Sequence, residues 1–283
     1  MRKAITPVAA FLLCLPCVLI CADLAHGRDS AFPPVDGRPG ILVPHADKRP
    51  LISADLQDPA WTTAAVVASL FPSYASQSSA RPSPTKVLLL WDRSFLYVRF
   101  LCGGRLPRNA QAGRDADLYL GDVVEVFLSR FPDVREYFEI QVSPANDVLD
   151  LRFAMPEAPE FQSDGVLTKD YSLHILQKDR SWNFAKLRTS SRVSGGLWVV
   201  DMAIPAREIF RDSAQTELRP GWLRANFLRY EWGTARWKPS LISSNWSVVR
   251  QGCPQISPGS LGWLRLLATS DAPTRKRATD SKF

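Results

Sequence analysis

The sequence predicts an all-β protein, an antiparallel β-sandwich or jelly roll of about ten or eleven strands with one or two very short helices. Three observations lead to this prediction. Short apolar runs recur along the chain and are separated by turn residues. Helical periodicity is nearly absent. Proline is abundant, with 22 residues, which favours short strands and loops over long helices.

The apolar runs define the strand candidates in order. They span 41–45, 66–71, 85–91, 95–102, 122–128, 136–142, 147–153, 183–190, 197–204, 223–232 and 260–267. Turn residues at 91–95 and 143–147 predict tight hairpins. Segments 58–65 and 205–210 each carry a proline where a helix can begin, and we expect one or two helical turns in each.

Alternation along residues 121–142, GDVVEVFLSRFPDVREYFEIQV, assigns a face to each side chain. Successive residues of a strand point to opposite faces of the sheet. The core-facing set is therefore Val124, Val126, Leu128, Phe138, Ile140 and Val142. Glu125, Glu139 and Gln141 point away from the core, and this outer face is expected to be either wet surface or a polar binding surface.

The first 27 residues resemble a secretory signal peptide. Arg2 and Lys3 precede the apolar stretch 4–22, and residues 25–27 offer a cleavage site between small residues. An uncleaved anchor or a lipid on Cys21 are the alternatives.

We expect a linker and first strand over 28–44, one folded domain over 45–268 and a disordered basic tail over 269–283. The mature protein is expected to be secreted, periplasmic or at the cell surface, without a membrane span.

Cysteine and charge restrict the chemistry further. Cys102 and Cys253 lie outside the leader, and two cysteines of an exported chain can form a disulfide. The formal charge is +7, and the tail 269–283 contains four basic and two acidic side chains. No basic stripe with interleaved aromatic residues occurs in the domain, so nucleic-acid binding is not expected.

Several catalytic and metal-binding patterns are missing from the sequence. Three histidines, no His/Cys cluster and no glycine-rich phosphate loop argue against a catalytic triad, zinc or a nucleotide cofactor. Asp115, Asp117 and Asp122 could hold a structural calcium ion, although their spacing matches no known calcium loop.

Two functions fit the carboxylates on the outer face. Glu125 and Glu139 could act as the acid pair of a glycoside hydrolase, which needs two carboxyl groups about 5–9.5 Å apart in unlike environments. Sugar binding without catalysis needs only aromatic rings for the apolar sugar face, and carboxylate, amide or guanidinium groups for the hydroxyls. A sandwich that serves only as a protein-interaction domain is a third alternative.

The order of motifs resembles family 9 carbohydrate-binding modules over about 45–268. Each of eight segments is similar in type and position to a motif of that family. These segments are ISADLQDPAW (52–61), VLLLWDRSFLYVRF (87–100), LYLGDVVEVFL (118–128), YFEIQVSPANDVLDLRF (137–153), LWVVDMAIP (197–205), LRANFLRYEW (223–232), NWSVV (245–249) and SLGWLRL (260–266).

This resemblance implies a non-catalytic β-sandwich that binds an oligo- or polysaccharide between two aromatic rings, in a family often attached to glycoside hydrolases and used in polysaccharide catabolism. The sugar-binding residues that it implies are Tyr119 and Trp246 as rings, with Glu125, Glu139, Gln141, Asn226 and Arg229 on the hydroxyls. The chain departs from the family at two positions. Tyr119 replaces a tryptophan, and Ala54 stands where the family has glycine.

Overall fold

The computed structural model describes residues 36–74, 76, 80–109, 112–155, 159–162, 165–168, 177–233 and 240–269. The expected signal peptide, residues 28–35 of the expected linker and residues 270–283 of the expected tail lie outside these ranges. The described strands are β1 (Gly40–Val43), β2 (Ala65–Val67), β3 (Phe71–Pro72), β4 (Thr85–Trp91), β5 (Phe95–Cys102), β6 (Val123–Ser129), β7 (Glu136–Val142), β8 (Val148–Ala154), β9 (Gln177–Asp179), β10 (Arg188–Ser194), β11 (Leu197–Pro205), β12 (Gly221–Trp232), β13 (Leu241–Asn245) and β14 (Gly262–Leu266).

The strands form two sheets. The larger sheet has nine strands in the order β1-β14-β12-β6-β7-β8-β9, and β13 and β3 attach beside β12. The smaller sheet has five strands in the order β10-β11-β5-β4-β2. All pairings between these strands are antiparallel except β1 with β14, which is parallel. The all-β sandwich expected from the sequence is confirmed.

The main core lies between the two sheets. It contains the six side chains that alternation assigned to the interior: Val124, Val126, Leu128, Phe138, Ile140 and Val142. From the smaller sheet they meet residues such as Leu89, Phe100 and Trp198. Each is almost fully buried. Burying such a side chain contributes about 1.5–3 kcal/mol, so this layer supplies most of the driving force for folding.

A segment near the start of the fold covers the outer face of the smaller sheet. It includes the 3-10 turn Pro59–Thr63, which begins with proline as expected, and Asp58 caps it by accepting a hydrogen bond from the Ala60 amide. Beneath the turn, Arg99 donates two hydrogen bonds to Asp201, at 2.6 and 2.8 Å. The Trp61 ring lies 4.5 Å from the Arg99 guanidinium carbon. A buried ion pair thus holds this cover in place.

Loops cover the outer face of the larger sheet, so of the two alternatives the wet surface is not observed. A second apolar cluster forms there, with Leu118, Val134, Leu167 and Leu261 of the connecting segments packing over the strands. Consequently Glu125 and Glu139 are fully buried. Strand alternation fixes which face a side chain takes, but it carries no information about what is laid over that face.

Strand positions agree closely with the sequence prediction in the central strands and less well at the edges. The expected strand 66–71 is divided into β2 and β3, which belong to different sheets because the chain crosses between them. The expected strand 183–190 begins only at Arg188. Two short strands were missed, β9 and β13, whose sequences QKD and LISSN lack a clear apolar alternation. The second helical prediction is confirmed by the single turn Ala206–Ile209.

The first strand, expected within residues 28–44, corresponds to β1. Strand β1 pairs with β14 along its whole length and is part of the larger sheet. The compact unit accordingly includes residues before 45. Among the described residues, no helix has the length and apolarity needed to span a bilayer.

The two cysteines considered as a possible disulfide are not bonded to each other in the structure. Cys102 and Cys253 are both free thiols. Cys102 is buried in the main core between the sheets. Cys253 lies just before the 3-10 turn Pro254–Ile256, whose Gln255 contacts Glu139 on the outer face of the larger sheet. The two cysteines therefore belong to opposite faces of the nine-stranded sheet, a separation that their sequence positions do not show.

Candidate functional site

The carboxylates of the outer face lie on the two central strands of the larger sheet. Strands β6 and β7 pair so that Glu125 is directly opposite Gln141, and Phe127 is opposite Glu139. Glu139 is therefore the diagonal neighbour of Glu125 on the same face. Directly opposed residues have Cβ atoms about 4.5–5.5 Å apart, and diagonal ones are within reach of long side chains. Strand alternation in the sequence predicts that these side chains share a face.

A row of polar side chains continues across the neighbouring strands. Leu228 of β12 is opposite Glu125, and Asn245 of β13 is opposite Leu228. We call Asn245, Glu125 and Gln141 the polar row. All three are buried, with exposed fractions of 0%, 0% and 1%. Because opposed residues share a face, the polar row crosses four strands on the outer side of the sheet.

The polar row contains several buried atoms without hydrogen-bond partners in the described part of the chain. They are both carboxylate oxygens of Glu125, Oε1 of Gln141 and Nδ2 of Asn245. Burying an unpaired polar group is unfavourable by about 1–3 kcal/mol, and more for charged groups. Most buried polar side-chain atoms have partners in native proteins, and each exception needs an explanation. The buried row thus contains unpaired hydrogen-bond acceptors on Glu125 and Gln141 and an unpaired donor on Asn245.

Glu139 differs from Glu125 because two amides satisfy it. Gln141 donates from Nε2 to Glu139 Oε1 at 2.6 Å. Gln255 donates to both oxygens of Glu139, at 3.0 and 3.1 Å. Tyr137 donates its hydroxyl to the carbonyl of Gln255. The segment 253–257 is thereby held over the sheet by contacts to the residues it covers.

Burial changes the acidity of this group of side chains. The pKa of Glu125 is raised well above its usual value by burial and, secondarily, by the charge of Glu139. Burial also raises the pKa of Glu139, while hydrogen bonds from Gln141 and Gln255 oppose the rise. Burial and the nearby carboxylates raise the pKa of Tyr230 as well. Two adjacent carboxyl groups therefore occupy unlike environments, with Glu139 better able to carry a charge.

Tyr119 and Asn226 lie close to the outer face but make different contacts. Tyr119 lies in the 3-10 turn Leu118–Leu120, is 39% exposed and accepts a hydrogen bond from the Trp232 indole through its carbonyl. Asn226 is buried, and its side chain exchanges hydrogen bonds with the backbone of Ser247, at 2.7 and 2.9 Å. Asn226 thus anchors the chain after β13, and its amide is already paired.

Arg229 and Trp246 lie on the other side of the sheet, which corrects the expectation that all seven residues converge. Arg229 donates to the Thr85 hydroxyl and the Gly103 carbonyl, both at 3.0 Å, and pairs with Glu231 at 3.2 Å. Trp246 belongs to the main core, with its ring centroid 5.6 Å from that of Phe227. Residues an odd number apart on a strand face opposite sides, so Asn226 and Arg229 cannot share one.

The three aspartates proposed as calcium ligands make contacts with different partners. Asp115 and Asp117 pair with Arg114 and Arg180. Asp122 accepts hydrogen bonds from Arg105 and from the amides of Arg108 and Trp232. In the described ranges no three acidic, histidine or cysteine residues converge as metal ligands would. Each of the three carboxylates lies beside an arginine side chain, which does not favour a divalent cation at the same position.

Sequence reasoning missed three residues of the site. Tyr230 follows Leu228 at an even offset, so strand alternation could have placed it on the outer face. Asn245 belongs to a strand whose sequence, LISSN, gives little strand signal. Gln255 reaches Glu139 from a turn 116 residues further along the chain, and no local pattern predicts such a contact.

Comparisons with known proteins identify the fold. No family model matches the sequence, and no curated protein matches it. A family 9 carbohydrate-binding module from Caldicellulosiruptor kristjanssonii, solved in complex with glucose, superposes with a TM-score of 0.53 and 14% identity, covering 82% of this chain and 98% of the module. A family 9 module from the same organism, solved with cellotriose, gives a TM-score of 0.51 and 16% identity, over 82% and 96%. The chain therefore has the fold of these modules.

Proposed function

We propose that this protein is an exported, non-catalytic carbohydrate-binding protein that takes part in polysaccharide breakdown, and that the polar row binds the sugar. The fold similarity supports the class of protein, since the two similar modules were solved with glucose and cellotriose. The leader-like first 27 residues support export.

The unpaired atoms of the polar row are the observation that carries the proposal. A sugar hydroxyl both donates and accepts a hydrogen bond, so a cluster of hydroxyls suits a row that offers carboxylate and amide acceptors beside an amide donor. Glu125 provides the strongest acceptor when it is ionised. Binding of hydroxyls at Glu125 would offset the desolvation that its carboxylate suffers in the folded protein.

Sugar entry requires the covering segment to move. Gln255 supplies the two donors that Glu139 accepts, so a sugar hydroxyl that reaches Glu139 replaces this amide. The exposed ring of Tyr119 lies towards the end of the same face and offers a stacking surface. The proposed site therefore adds Tyr119 and Glu139 to the polar row, and excludes Arg229 and Trp246.

Titration calorimetry of residues 28–283 tests this function. The panel consists of oligosaccharides with a free reducing end and the same compounds after chemical reduction of that end. We expect saturable binding to at least one compound and a loss of at least about tenfold in Glu125→Ala, about 1.4 kcal/mol. Glu217→Ala, which removes an exposed carboxylate, is the matched control and should bind normally. Absence of binding across the panel would overturn the proposal and direct the search to a protein partner.

A second candidate is a glycoside hydrolase that uses Glu125 and Glu139. Their unlike environments favour it, because acid and base roles require two carboxyl groups whose pKa values differ. Release of reducing sugar from a glycan, abolished in Glu139→Gln, would support this function. A panel of glycans with no turnover would exclude it while leaving sugar binding intact.

A further inference from the structure

A second cleft lies at the edge of the larger sheet, where the chain enters the fold. It has a volume of about 340 Å³ and is lined by residues 37–39, Phe71 and residues 246–248 and 250. Small-molecule sites typically occupy about 300–1,000 Å³. The cleft is therefore large enough for one sugar unit. None of its lining residues belongs to the polar row.

Two aromatic side chains provide the apolar part of this cleft. Phe71 lies on the short edge strand β3, and 51% of its surface is exposed. Trp246 lies deeper, is 8% exposed and is fixed by its packing on Phe227. An exposed aromatic ring beside a mostly buried one provides flat apolar area for the C–H face of a sugar ring.

The charge of the cleft is positive. Arg38 and Arg250 line it, and none of its described lining residues is acidic. Arg250 is exposed and takes part in no ion pair among the described residues. The nearby Asp36 accepts hydrogen bonds from the Trp263 indole and the Arg38 amide and pairs with Arg224. The Arg250 guanidinium has no carboxylate partner among the described residues and is therefore suited to bind an anion. A carboxylate can pair with it in bidentate geometry.

We propose that this cleft binds an anionic sugar of the uronate class. The sugar ring packs against Phe71 and Trp246, and its carboxylate pairs with Arg250. This inference adds a second subsite, with a different ligand charge, to the sugar binding proposed for the polar row. Phe71 is directly opposite Asn245, so the cleft lies next to that end of the polar row, two strands from Glu125.

Tryptophan fluorescence of residues 28–283, titrated with D-glucuronate, tests this assignment. D-glucose matches the ligand in shape without its charge, and inorganic phosphate matches the charge without the ring. We expect saturable quenching by glucuronate, at least about tenfold weaker binding of glucose and phosphate, and weaker glucuronate binding at high salt. Equal binding of phosphate, or no binding of glucuronate, would overturn the proposal.

Three variants locate the site. Arg250→Gln and Phe71→Ser should each weaken glucuronate binding by at least about tenfold. Both residues are exposed, so these variants should keep the unfolding temperature of the parent. Arg219→Gln, at another exposed arginine, is the control and should bind normally.

Glu125→Ala distinguishes the two proposed sites. Unchanged glucuronate binding in this variant supports an independent cleft, whatever the outcome for neutral oligosaccharides. Loss of glucuronate binding would place that ligand on the polar row and overturn the second subsite.

Discussion

At the scale of single residues, the parity of sequence offsets decides which side chains can meet. Glu139 and Gln141 are two apart and share the outer face, where Gln141 donates to Glu139. Asn226 and Arg229 are three apart, and one faces the outer cover while the other faces the interior. Only those residues of a sequence motif that share a strand face can form one site.

The buried carboxyl of Glu125 makes stability depend on pH. Its pKa in the folded state lies above its value in the unfolded chain, so its contribution is fully favourable below a pH of about 4.5 and is lost as the pH rises towards the folded-state pKa. Glu125→Gln removes this ionisation. We expect the variant to gain stability over the parent as the pH rises from 4 to 8, measured by urea unfolding.

The control for this measurement is Glu217→Gln, since Glu217 is a partly exposed carboxylate that pairs with Arg93 at the surface. Its effect should stay within about 0.5–1 kcal/mol over the same range. A stability difference for Glu125→Gln that does not change with pH would contradict the assignment of a raised pKa.

Ala54 carries backbone strain at a position where the resembling family has glycine. Its φ angle is +53°, in the left-handed region. This conformation is unfavourable for a residue with a Cβ atom by about 1–2 kcal/mol. Ala54→Gly relieves this strain but increases the conformational entropy of the unfolded chain. We expect a net gain of up to about 1 kcal/mol in the free energy of unfolding, measured by chemical denaturation. Ala60→Gly, within the 3-10 turn, is the control and should lose stability.

At the scale of elements, a buried ion pair attaches the segment that covers the smaller sheet. Asp201 of β11 accepts two hydrogen bonds from Arg99 of β5 and others from the amides of Ser53 and Ala54. One carboxylate thus joins two neighbouring strands to the turn laid over them. Asp201 is fully buried, so the attachment of the covering segment to the smaller sheet depends on this one carboxylate.

Removing the charge of Asp201 should be strongly destabilising. Asp201→Asn leaves the Arg99 guanidinium buried without a charged partner, and breaking a buried ion pair in this way typically lowers the free energy of unfolding by about 3–5 kcal/mol. Urea denaturation measures the loss. The exposed ion pair of Arg93 with Glu217 provides the comparison. Glu217→Gln should lower the free energy of unfolding by less than about 1 kcal/mol. A loss below about 1 kcal/mol for Asp201→Asn would contradict the proposed attachment.

At the scale of the whole molecule, the larger sheet separates the two cysteines. Cys102 is buried in the main core, and burial raises the pKa of its thiol to about 12. Both its accessibility and its thiolate fraction are therefore low in the folded protein. Cys253 is partly exposed beside the segment over the polar row.

Alkylation followed by mass spectrometry tests this arrangement on residues 28–283. Without a reductant, the unfolded protein should take up two alkyl groups. The folded protein should react at Cys253 well before Cys102. Failure of the unfolded, unreduced protein to react would reveal a disulfide and contradict the separation of the two residues.

The sequence by itself determined the fold class, most central strands and the inward and outward faces of β6 and β7. These features follow from local chemistry, because strand alternation and turn residues act over a few positions. The tertiary structure alone decided that the outer carboxylates are buried, that Gln255 pairs with Glu139, and that Arg229 and Trp246 face the interior of the sandwich. Such contacts join residues far apart in the chain, and their energies depend on how loops pack over a sheet, which no local pattern encodes.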